Sequence, residues 1–331
     1  ALTRLSAAPR ENEGSGPVRT RVKDEHVLAL CLELGDDSPA LRWAVDEMIA
    51  QSRITVMAGY LDRSVNREIA DRVWARLADR PNLYRLIEVE EPDWDVIDLV
   101  LPHAGLTAAD PLLDRLAEAD TLAVRRRVFD RLIALGSGVG PSAVRCIGQP
   151  QSTPWYVLRN VLSLLAMLDE WPARFNPWEL TGHDNPQVRL EAIKLCLRMP
   201  ATREQAILLA LEDENSRVVA LGIVESERGC PAEAETRLSE IARSPHGEFA
   251  EFRTHASRAL ARIGSAGAFD VLLSLTTVRR RGLRRGLPDE TPELLAALTG
   301  LASTWPDDPR VHEVAELARA SRRKAIREAV A

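Results

Sequence analysis

Aromatic residues make up only 5% of this 331-residue chain, and there are just four cysteines and six histidines. Each shortage removes a class of chemistry. Cys31, Cys146, Cys196 and Cys230 lie far apart, form no CxxC pair and join no histidine at zinc-ligand spacing. Each sits in or beside an apolar helical pattern, which reads as the reduced, buried thiols of a cytoplasmic protein. The histidines are His26, His103, His183, His246, His255 and His312, and no HExxH motif joins any two. The nearest candidates are Asp24-Glu25-His26 and His312-Glu313, and neither makes a ligand set, so no metal and no cofactor is expected.

Other absences follow. There is no Walker A loop, no GxGxxG behind a strand and no GxSxG elbow. The glycines of Gly136-Ser137-Gly138-Val139-Gly140-Pro141 join two helical patterns and suit a helix C-cap, with a phosphate cradle at the next helix as the alternative. No catalytic residue is identified, so the chain is not read as an enzyme. No apolar run approaches the roughly 18 residues of a membrane span, and no signal peptide is visible. Sustained apolar/polar alternation is missing too, so essentially no sheet is expected. The first residue is Ala1 rather than Met, which fits one part of a longer protein.

Charge is sparse in one sign only. With 43 basic and 49 acidic side chains the net charge is −6, opposite to what a nucleic-acid binder shows. The stretch from Arg279 onward reverses this balance locally. It holds Arg279, Arg280, Arg281, Arg284 and Arg285, followed by Arg319, Arg322, Arg323, Lys324 and Arg327. The Arg279–Arg285 run reads either as a site for an anion or acidic partner, since guanidinium groups bind carboxylate and phosphate bidentately, or as a solvated loop.

What the chain has in quantity is Ala, Leu and Arg, among the strongest helix formers. Residues 1–22 are polar and rich in Gly, Pro and Ser, an arm or linker. Helical periodicity then runs from Asp24 nearly to the end. It marks helices near 25–35, 38–51, 66–79, 93–102, 109–118, 121–136, 139–148 and 154–169. Further ones fall near 186–199, 202–212, 215–226, 233–244, 248–264, 266–276, 291–302 and 308–320. Cap signals such as Asp184-Asn185-Pro186 and Asp213-Glu214-Asn215-Ser216 separate them.

Five segments beginning at residues 119, 151, 183, 212 and 247 share one layout: a polar cap, an arginine in the first turn or two, then an Ala/Leu stripe. The arginines are Arg125, Arg159, Arg189, Arg217 and Arg253, spaced 28 to 36 residues apart. That spacing is one helix pair per period, the mark of an α-solenoid. In such a stack the loop acids Asp184 and Asp213 cap the following helix, and each arginine can tie one unit to the next.

The pattern Asp184, Val188-Arg189, Ala192, Leu195 resembles HEAT or HEAT-like repeats, and the run Trp155–Asn160 followed by Val188–Ala192 is similar to bacterial HEAT-repeat proteins. The resemblance implies an all-α fold, a right-handed α-α superhelix over 105–331. Residues 23–104 are then either degenerate repeats or a separate helical cap. It also implies a non-catalytic scaffold with a protein partner and no membrane insertion. Two other functions attach to similar folds: nucleic-acid or polyanion binding, as in HEAT-like DNA glycosylases, and bilin attachment, as in HEAT-like bilin lyases. A third relative, deoxyhypusine hydroxylase, needs several His-Glu pairs, where this chain has only His312-Glu313. One further concentration stands out: Trp155, Tyr156, Trp171, Phe175 and Trp178, which reads either as a binding hot spot or as a local core.

Overall fold

A computed structural model describes residues 23–119, 121–279 and 285–331, except for the side chains of Arg279 and Arg285. The arm at 1–22 and Arg280, Arg281 and Arg284 therefore lie outside the described residues. The chain is all-α, with helices packed in tandem, and it divides into two compact units. One runs through Cys146 and includes Leu168–Trp171; the other comprises Ile147–Met167 and Pro172–Ala331.

The first unit begins with α1 (Asp24–Leu34), α2 (Pro39–Ala50), α3 (Ile54–Arg63) and α4 (Arg67–Leu77). It continues with α5 (Arg80–Ile87), α6 (Trp94–Ala104), α7 (Ala109–Glu118) and α8 (Leu122–Ala134). The helix α9 (Gly140–Ile147) follows. Neighbours in sequence pack on one another, α1 on α2, α3 on α4 and α7 on α8, while α4 and α5 also reach α6 and α7. The expectation that no apolar run reaches membrane-spanning length is corrected here. The helical run Trp94–Glu118 has 25 residues and an 18-residue window of mean hydropathy 1.3. Half of that window is buried inside the fold, as in a core helix. The run is also not one straight helix, because Pro102 interrupts the hydrogen-bond ladder of α6 and Gly105–Ala108 form a 3-10 turn.

The second unit holds α10 (Trp155–Met167), α11 (Pro186–Arg198), α12 (Arg203–Leu211), α13 (Ser216–Ser226) and α14 (Glu235–Arg243). It goes on with α15 (Arg253–Ile263), α16 (Ala266–Thr276), α17 (Pro292–Thr304), α18 (Pro309–Arg319) and α19 (Lys324–Glu328). Helices α11, α13, α15 and α17 pack side by side in one layer, and α12, α14 and α16 fill the other. A two-helix hairpin cannot cover its own apolar face, so each buries it on the next. The shared core runs through Ile193, Ile207, Val218, Leu238, Leu260 and Leu272, and a smaller cluster gathers Leu298, Val314, Ala318 and Ile326.

The caps explain where the helices start. The side chains of Asn185, Asn215, Ser265, Thr291 and Asp308 each accept a backbone N–H from the helix they open. Asp184 does not cap as expected; the neighbouring Asn185 does, and the Asp184 backbone carbonyl accepts from Arg189 instead. Three helices escape the sequence pattern, α3, α5 and α19. Among the described residues the only strands are a small antiparallel ribbon, two residues a side, in which β1 (Val278–Arg279) pairs with β2 (Arg285–Gly286), Val278 facing Gly286, and the all-α reading holds.

Candidate functional site

The arginine markers divide into two groups. Arg189 makes the expected tie: its Nε and Nη2 both donate to the Asp213 carboxylate at 2.7 Å, while Nη1 donates to the carbonyls of His183 and Asp184 at 3.0 Å. Arg253 does likewise, reaching the Ala242 carbonyl at 2.9 Å and Glu293 at 3.4 Å. Arg159 donates to Asn160 at 2.6 Å and to Gln187 at 3.4 Å. Arg125, by contrast, donates to the Thr121 carbonyl of its own helix, and Arg217 is exposed and forms no ion pair among the described residues.

The ties that α8 and α12 do make come from other arginines. Arg131 grips Asp98 through two bonds of 2.8 and 2.6 Å and lies 4.5 Å over the Trp94 ring. Arg203 reaches Glu225 at 2.9 Å. The same device runs through residues 23–104, where no Val-Arg motif is visible. Arg53 pairs with Glu25, Arg72 with Asp37 at 2.7 Å and Arg76 with Asp46 at 2.8 and 2.7 Å. These links span 28, 35 and 30 residues, matching the 28-to-36-residue period of the marker arginines from Arg125 to Arg253.

Most titratable chemistry is thus spent on structure. His103 stacks on Trp74 at 4.1 Å, His183 Nδ1 accepts the Asn185 N–H, and His255 Nδ1 meets Glu227 at 2.8 Å. The thiols of Cys146, Cys196 and Cys230 are pushed up to about 11 by burial, so they are poor nucleophiles at neutral pH.

The aromatic concentration does not form one core. Trp178 packs against the core of the second unit, but Trp155 and Tyr156, in the first turn of α10, are 41% and 44% exposed. Their rings meet edge to face at 6.0 Å, with the Arg159 guanidinium 6.0 Å from the Trp155 ring. Of the Arg279–Arg285 run, Arg279 and Arg285 stand opposite each other in the ribbon backbone, and the other three arginines lie outside the described residues.

No family model and no curated protein matches the chain. Among solved structures it is similar to an engineered protein at 15% identity, covering 94% of this chain and 97% of that one, with a TM-score of 0.44. A second engineered protein is 13% identical over 84% of this chain and 97% of its own, with a TM-score of 0.23. A circular tandem repeat protein with a novel repeat topology is 14% identical over 92% and 68%, with a TM-score of 0.20. Likeness at this level carries no argument about function.

Proposed function

We propose that the chain is a non-catalytic protein-binding module of a cytoplasmic protein, its helices stacked as a HEAT-like, right-handed superhelix. The observation that supports this reading is the exposed Trp155–Tyr156 pair beside Arg159. Tryptophan, tyrosine and arginine are the residue types that dominate binding energy at protein interfaces. An aromatic side chain left in water gains from burial against a partner, and the edge-to-face geometry holds both rings without a large ordering cost.

The test is affinity capture with the whole chain, quantified by mass spectrometry against a Trp155→Ala/Tyr156→Ala variant. A partner held by the native chain and depleted at least tenfold in the variant is the expected result. Capture of no protein above a control helical-repeat protein overturns the reading.

A further inference from the structure

A groove of about 580 Å³ lies between α15 and α17 in the second unit, well away in sequence from the Trp155–Tyr156 pair. Along α17 it is lined from Pro292 through Ala296, Thr299 and Gly300 to Ser303 and Thr304, the helical spacing of one continuous face. Thirteen helical residues rise about 18 Å, the length of five or six residues of extended chain. Its floor is made of small residues. A Cβ on Gly300 would sit 2.7 Å from that of Ala261, so the two helices cross closely there, and neither sends a side chain up into the groove.

The walls carry charge and unused acceptors. Arg258 and Arg262 are one turn apart on α15 and both line the groove. Glu227 also lines it, and its Oε1 is shared by Arg258 at 3.3 Å and His255 at 2.8 Å. Arg262 forms no ion pair or hydrogen bond among the described residues. The local balance is therefore two cations to one anion, in a chain whose net charge is −6. On the α17 side the hydroxyls of Thr299, Ser303 and Thr304 donate to the carbonyls of Ala329, Gly300 and Ala261. A hydroxyl that donates keeps two acceptor lone pairs, and all three side chains belong to residues that line the groove.

We infer that this groove binds an extended acidic segment of a partner protein. Three features select that occupant. The open guanidinium of Arg262 calls for a carboxylate, and Arg258 adds a second cation one turn away. The hydroxyl lone pairs call for backbone N–H donors, which an extended chain presents and a helix keeps for itself. The small floor lets a backbone come close. This site goes beyond the aromatic pair and stands or falls separately from it.

The test uses the whole chain and a fluorescein-labelled hexaglutamate peptide, with hexalysine as its counterpart, read by anisotropy at low salt. Hexaglutamate binds and hexalysine does not. Arg262→Glu weakens binding at least tenfold, while Arg85→Glu, an equal charge change on an exposed residue of the first unit, changes it less than twofold. Arg262 makes no ion pair or hydrogen bond among the described residues, so its variant keeps the native unfolding temperature, which is measured alongside. Bound hexaglutamate also slows amide exchange in 292–304 more than elsewhere. No binding up to about 1 mM peptide overturns the inference. Equal weakening by the two variants overturns it too, because attraction is then diffuse. Loss of captured partner in the aromatic variant, with hexaglutamate binding intact, leaves this inference standing; the reverse pattern removes this inference and leaves the module reading.

Discussion

Arg189 and Asp213 show what a tie between repeats requires. The Asp213 side chain is only 6% exposed and Arg189 17%, so both charges have left most of their water. Burial opposes ionisation of Asp213, but the two Arg189 hydrogen bonds, the Asn215 N–H and the Arg189 charge outweigh it and hold the carboxyl below the usual range. Breaking such a pair strands a charge in the interior, which costs roughly 3 kcal/mol. Asp213→Asn is therefore expected to lower stability by about that amount at neutral pH. The folded value lies below the unfolded one, so the stabilisation is complete above about pH 3.9 and drains away as pH falls through the folded value. The variant lacks this loss, so the two stability curves converge in acid. Urea unfolding from neutral pH into the acid range checks this, and a gap that stays constant would contradict it.

At the scale of the element, close approach between helices rests on single small residues. Gly222 of α13 has no room for a side chain: an added Cβ would lie 3.0 Å from the Ala210 Cβ and 3.0 Å from the Leu211 backbone nitrogen. The nitrogen belongs to the backbone of α12 and cannot step aside as a flexible side chain would. Gly222→Leu is expected to cost roughly 1–3 kcal/mol by forcing α12 and α13 apart, while Gly222→Ala costs less. Thermal unfolding of the two variants measures the order, and a Leu variant as stable as the native chain would show that the crossing yields.

The same scale shows what can be read from sequence. Long helices with polar caps, such as α11 after Asn185 and α16 after Ser265, were legible because period and cap agree. The missed helices lack one or both signals. α19 has five residues, fewer than the window in which a 3.6-residue period emerges, and α5 is separated from α4 only by Ala78 and Asp79, so the two run together in the pattern. α3 has ten, but it has no side-chain cap and follows Ser52 at φ 56, a left-handed residue that the pattern does not announce. The candidate sites were legible in part. Trp155 and Tyr156 stood out by composition, and Arg189 by its motif. Arg131 and Arg203 did not, because spacing within a helix cannot say which arginine points at a neighbour's carboxylate. The groove along α17 was invisible for the same reason, since it exists only where two helices from different repeats meet.

For the whole molecule, the side-chain ties set how far a disturbance travels. Ties between helices such as Arg253–Ala242 and Thr304–Ala261 join residues 11 and 43 positions apart, so each helix is secured by near neighbours in sequence. Stability in such a stack is close to a sum of local terms plus interfaces between adjacent units, and opening is expected to be graded along the chain. Leu260 is fully buried in the core of the second unit, among residues of α11 to α17. Leu260→Ala removes that packing and costs roughly 2–5 kcal/mol. Amide exchange read by mass spectrometry is then expected to accelerate in α13, α15 and α17, which pack around it, and to stay unchanged in α1–α4 of the first unit. An equal rise in exchange along the entire chain would mean that the two units open as one cooperative block, and the local ladder of ties would not be what governs the stack.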